Sequence, residues 1–139
     1  MLDGRRESPL ESASAVQMLR GEVPPPEVQS LVYDDHGLVG RVDFWWEEFA
    51  VVGEADGLSK YDVLPGGGAA AAQEALRAEK RREDRLRATD ARVLRWGWAE
   101  LRRPGWARWL RRELARAEPS RFRGRVVLTA RPGSQYPPR

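Results

Sequence analysis

The 139 residues are 41% hydrophobic and 32% charged, with a net charge of +3, enough for one folded domain with a core and only a modest basic excess. The lack of cysteine excludes a disulfide frame and a thiolate zinc site, and the single His36 excludes a multi-histidine metal centre. No apolar run approaches the roughly 20 residues of a membrane span, and no apolar signal core follows the N-terminal residues, so a cytoplasmic protein is expected.

In chain order, residues 1–7 are expected to be a tail. Ser8-Pro9-Leu10-Glu11 reads as a helix start, with Ser8 as cap, Pro9 at the first helical position and Glu11 able to complete a capping box. That helix should run to Arg20 and stop at Gly21. Pro24-Pro25-Pro26 is a linker. Val28 to Tyr33 and Leu38 to Trp45 predict two strands joined by a tight Asp34–Gly37 turn, and Phe49 to Ala55 a third. Trp45 and Trp46 are adjacent and point to opposite faces, which suggests that one is exposed or at a rim. Asp62 to Gly68 is a loop. Ala69 to Ala88 predicts a long helix with Leu76 and Leu86 on one face and Arg77, Arg81 and Arg85 opposite. Arg92 to Trp96 is a strand. Ala99 to Arg103 and Trp106 to Ala117 are helices broken at Pro104-Gly105, the second with Trp106 and Trp109 in its inner stripe. Arg125 to Thr129 suggests a last strand, and the Pro-rich end from residue 130 a disordered tail. The whole is an α/β sandwich over 8–129, a mixed sheet flanked by helices.

Chemistry concentrates in residues 41–60. Asp43 ends one strand segment, Glu54 sits in the apolar stretch Val51–Ala55, and Lys60 follows the Asp56-Gly57 turn. Carboxylates hold a hard divalent cation through oxygen, and a nearby ammonium orients or activates water. Only two residues, Lys60 and Lys80, are lysines among the 24 basic ones, and an arginine cannot give up its proton as a lysine can. A two-residue Glu47-Glu48 hairpin loop would set Asp43 opposite Val52 and make Asp43 and Glu54 diagonal neighbours, roughly 7 Å apart. Residues 22–62 are acid-rich and 77–125 are dense in arginine, a charge division suited to a polyanion bent over a metal site. Arg77, Arg81 and Arg85 at i, i+4 spacing would meet phosphates rather than bases.

The stretches Glu7–Ser12, Pro24–Glu27, Val39–Phe44, Gly53–Tyr61, Glu79–Asp84 and Val93–Trp98, in this order, resemble the PD-(D/E)XK nuclease superfamily. Within it they are similar to the branch of very-short-patch-repair endonucleases, and to a domain of actinobacterial AbiEi-type antitoxin proteins that often follows a winged-helix segment. The resemblance implies a restriction-endonuclease-like fold and a magnesium- or manganese-dependent DNA endonuclease. It implies Glu11 as the helix acid, Asp43 as the strand acid and Glu54 as the acid of the Glu-x-Lys element. Asp56 stands where that lysine would be, as a supporting metal ligand, and Lys60 is a lysine displaced along the loop. A non-catalytic DNA- or protein-binding module of a toxin–antitoxin-type regulator, or a truncated relic of one, is the alternative, with a regulatory protein as possible partner.

Overall fold

Ser8 caps the first helix as its sequence dictates: its hydroxyl accepts the Glu11 backbone N–H at 3.1 Å, and Pro9 opens the helix. The computed structural model describes residues 8–56 and 68–129. The expected tails, Lys60 and nearly all of the 62–68 loop lie outside the described residues. The helices are α1 (Pro9–Arg20), α2 (Ala69–Ala88), α3 (Trp98–Leu101) and α4 (Trp106–Ala115), and the strands β1 (Glu27–Asp34), β2 (Gly37–Trp46), β3 (Val51–Ala55), β4 (Arg92–Trp96) and β5 (Arg125–Val127).

The strands form one five-stranded sheet in the order β4-β3-β2-β1-β5. The meander β1-β2-β3 is antiparallel, β5 joins β1 antiparallel, and β4 lies parallel to β3. A parallel neighbour needs a crossover, and α2 lies between β3 and β4 in sequence. The mixed α/β architecture expected from the element pattern is therefore present. No described helix is long and apolar enough to cross a membrane.

Side-chain alternation in the strands divides the core between the two faces of the sheet. Phe44, Trp46, Val51, Leu94 and Trp96 pack with Leu10 and Met18 of α1 and Trp106, Leu110 and Leu114 of α4. Trp45, Val52 and Val93 pack on the other face with Leu86 of α2. Both Trp45 and Trp46 are buried, at 1% and 2% exposure, so neither lies at an open rim; helices cover both faces. Each indole N–H has an acceptor, Glu47 Oε1 for Trp45 and the Pro24 carbonyl for Trp46, both at 2.7 Å.

On the α1/α4 face, the Phe44 and Trp96 rings stack with centroids 5.8 Å apart, and Trp106 meets Trp96 edge-on at 5.2 Å. Trp96 Nε1 donates to Ser14 Oγ at 2.8 Å, and Ser14 donates on to the Leu10 carbonyl at 2.7 Å, which pins α1 to β4. These rings close over Gly53, one residue before Glu54. A Cβ at Gly53 would stand 2.7 Å from Trp96 and 2.9 Å from Trp46. Gly53→Ala should therefore destabilise the fold by about 1–3 kcal/mol, as overpacking does. Thermal or urea unfolding measures it, and an unchanged midpoint would show that the rings yield freely.

Candidate active site

The β2–β3 connection sets the register that brings the acids together. The pairs are Phe44↔Gly53, Trp45↔Val52 and Trp46↔Val51, so the turn is Glu47–Ala50 and not Glu47-Glu48 alone. Ala50 takes a left-handed φ of 52°, and Phe49 N–H returns to the Trp46 carbonyl at 3.1 Å. The expected pairing of Asp43 with Val52 is thus displaced by two residues. A two-residue shift preserves the alternation of faces, so Asp43 and Glu54 still share a face. They now stand abreast instead of diagonally.

Beyond Phe44↔Gly53 the carboxylates replace the ladder. Asp43 N–H donates to Glu54 Oε2 at 3.2 Å, and Ala55 N–H donates to Asp43 Oδ2 at 3.0 Å. Each acid accepts a backbone N–H from the other's strand. Glu11 of α1 stands beside Asp43 and pushes its carboxyl up, and Gln29 Nε2 donates to Glu11 Oε2 at 3.2 Å. A capping-box role, the plain expectation for Glu11, leaves out this buried carboxyl partnership. The three acids border a cavity of about 600 Å³, which Arg41, Arg82 and Arg95 also line.

Two contributors escaped the sequence reading. Arg82, in the middle of α2, reaches Glu54 Oε1 at 2.7 Å and Glu79 Oε1 at 3.0 Å, and donates to the Arg41 carbonyl. Its guanidinium crosses β2 at Gly40, where a Cβ would come within 2.8 Å of Arg82 Nε. Gly40 is the only trace of this in the sequence, and it does not say which arginine passes. Gln29 lies between the pairs Val28↔Phe44 and Ser30↔Val42 with a left-handed φ of 53°. For a non-glycine inside a strand this is a strained backbone, of the kind that collects at functional sites. Nothing in its local sequence announces it.

The other expected residues are placed as follows. Asp56 lies on the cavity border, 4.0 Å from Arg95 NH1, and its N–H donates to the Trp96 carbonyl at 2.9 Å. Arg77 and Arg81 both pair with Glu74 on the exposed side of α2. Arg85 is held by Asp34, with Nε and NH2 at 2.9 and 2.7 Å, and by the Gly37 and Leu38 carbonyls. It closes the β1–β2 turn instead of lying open. Lys60, the expected water-activating amine, lies outside the described residues.

The electrostatics follow from burial and crowding. Burial first, then the Glu11 carboxylate beside it, pushes the Asp43 carboxyl up to about 7. Burial also pushes Glu54 up, while Arg82 pulls it back. The Arg82 guanidinium at 2.7 Å opposes that rise at Glu54, whereas Glu11 adds to it at Asp43. Burial works against the Arg82 charge, but Glu54, Glu79 and Asp43 outweigh it and raise its pKa. The oxygen-only donor set is of the kind a hard divalent cation takes. Among the described residues, however, no three acidic or histidine side chains already stand in metal-holding geometry. Cation uptake at Asp43 and Glu54 therefore needs the Glu54–Arg82 pair to loosen.

Comparisons of the chain with family models, with curated proteins and with solved structures give no match.

The raised Asp43 pKa makes stability depend on pH. Between pH about 4 and 7 the folded protein holds a proton on Asp43 that the unfolded chain has lost. Stability falls as pH rises through this window, by up to about 1.4 kcal/mol per pH unit, and the penalty is absent below the unfolded value. Asp43→Asn, which keeps the shape without the charge, should flatten this dependence and be the more stable protein at pH 8. Urea unfolding of both proteins from pH 4 to 8 checks it; parallel curves would refute the assignment.

Proposed function

We propose that this chain is a PD-(D/E)XK-like domain that hydrolyses DNA phosphodiesters with magnesium or manganese at Asp43 and Glu54. The supporting observation is the crossed pair of carboxylates: Asp43 and Glu54 each take a backbone N–H from the opposite strand where the β2–β3 ladder ends, inside an arginine-lined cavity. The mixed sheet with an acid-bearing helix, Glu11 on α1, against the strand acids fits this reading.

Asp43 and Glu54 would hold the cation, with Glu11 and Asp56 in support. A bound divalent cation supplies Lewis-acid polarisation of the phosphoryl oxygen and a water of lowered pKa. Glu11, beside Asp43, would add a further carboxylate to the same wall. Arg82 is a permanent positive charge on the same cavity wall and offsets phosphate and carboxylate charge alike. Lys60 would orient the attacking water from the segment after Asp56.

A second reading has its own observation. Arg82 at 2.7 Å already supplies the charge that neutralises Glu54, and Asp56 stands in place of a Glu-x-Lys lysine. Both suit a binding module of a toxin–antitoxin-type regulator that does no chemistry. Titration calorimetry with magnesium and manganese, beside cleavage of plasmid DNA, separates the two. On the nuclease reading, the wild type takes up the metal and cuts. Asp43→Ala then loses more than the roughly 100-fold in metal affinity that removal of an outer-shell partner costs. Lys60→Arg retains DNA binding without cleavage. A wild type that neither takes up metal nor cuts leaves the binding module.

A further inference from the structure

The arginines of this protein are not equally engaged. On α2, Arg77, Arg81, Arg82, Arg85 and Arg87 each pair with a carboxylate: Glu74, Glu74, Glu54, Asp34 and Glu83 in turn. Around the α3–α4 corner the balance differs. Arg103 and Arg112 are exposed and have no ion pair with a described residue. The acid that borders the same cavity, Glu100, is bound by the Gly97 N–H at 2.7 Å, which first, with the charge of Arg103 adding to it, holds its carboxyl below the usual range.

These two arginines border a second cavity of about 350 Å³, together with Arg95, Glu100, Trp106 and Trp109. Arg95 lines this cavity and the carboxylate cavity alike, so the two share a wall. The cavity also takes in Gly105, where α4 begins with neither a side-chain cap nor an acid in its first turn, so its N-terminal dipole is unopposed. An independent observation points to a missing partner. Trp106 is 5% exposed, yet its indole N–H has no acceptor, a rare and costly state for a buried donor. Trp109 beside it is half-buried, packed in part against the core, and also lines the cavity.

We infer that the cavity between α3 and α4 is a nucleic-acid subsite: Arg103 and Arg112 take a phosphodiester of DNA that flanks the one at the carboxylate cavity, and Trp109 packs against its nucleotide. The inference rests on the nuclease or DNA-binding reading above, and it moves the strand's path from α2 to the α3–α4 corner. Charge complementarity favours the corner, because Arg103 and Arg112 form no ion pair with a described residue, Arg103 feeling only the field of Glu100, while each α2 arginine contacts a carboxylate, Arg77 and Arg81 sharing Glu74. Arg102, 5.5 Å over the Trp98 ring, continues the positive surface toward the carboxylate cavity, which Trp98 lines.

Fluorescence anisotropy with a short labelled DNA duplex, in EDTA and across a salt series, tests this without chemistry or metal. Arg103→Ala/Arg112→Ala should weaken binding at least about tenfold at low salt and flatten the slope of log K against log salt by nearly 2, the loss of two phosphate contacts at about 0.9 each. Trp109→Leu should weaken binding with the salt slope unchanged, since stacking carries no counterion release. Arg77→Ala/Arg81→Ala should change neither measure much; circular dichroism confirms folding of each variant. The inference is overturned if the α2 double variant loses affinity and the α3–α4 variant does not. It is also overturned if the wild type binds no DNA, even where inorganic phosphate or a mononucleotide binds. Because metal is absent, failure of the metal site in calorimetry leaves this test intact, and the reverse also holds.

Discussion

The ion pair between Glu54 and Arg82 is the constraint on which the rest of the site depends. Glu54 sits in the middle of the fold at 7% exposure, where an unpaired carboxylate is expensive. Arg82 meets it at 2.7 Å from the helix that covers that face. Removing one member of such a pair costs about 3–5 kcal/mol, so the contact fixes the position of α2. It has steric conditions of its own: a glycine at position 40 to let the guanidinium pass, and the Arg41 carbonyl and Glu79 to take its remaining donors.

This explains an otherwise odd helix. α2 is 20 residues long but buries only Leu86, too little apolar surface to hold it against the sheet. Polar contacts supply the rest. Arg85 binds Asp34 at the β1–β2 turn, and Glu83 receives Arg95 from β4 at 2.7 Å. Opposite it, α4 buries Trp106, Leu110 and Leu114 and is attached by ordinary apolar packing. One face of the sheet is thus closed by aromatic stacking and the other largely by charge. The cavity opens at the border where the carboxylates of β2 and β3 meet α1 and the arginines of α2 and β4.

The same division shows in how the charges are engaged. The charges that hold α2 in place, Arg82 and Arg85, are paired with buried or half-buried acids of the sheet. At the α3–α4 corner, Arg103 and Arg112 form no ion pair with a described residue. The acidic cluster is poised differently again. Burial and the neighbouring Glu11 raise the pKa of the Asp43 carboxyl, a state that a nearby positive charge would relieve and that costs folding stability above the unfolded value.

The sequence by itself determined the elements and their sides. Ser8-Pro9, the period-2 runs in β1 to β3, the alanine-rich helix and the Pro104-Gly105 break are local signals, and local backbone energetics decide them. The convergence of Asp43 with Glu54 was also legible, because alternation fixes their face even when the turn length is misread by two residues. The tertiary structure alone decided that the turn is four residues long, since Ala50 accepts a left-handed conformation its type does not call for. It alone decided that Arg82, among several arginines on α2, is the one that reaches Glu54. Likewise Gln29 carries its strained backbone beside Glu11, and Arg85 serves Asp34 instead of an open face. These are contacts between residues 11, 12, 18, 28 and 51 positions apart. Such pairings depend on which helix lies over which strand, and on whether a buried charge finds its partner. No window of local sequence contains that information, because the cost that selects the partner arises only once both groups have left water.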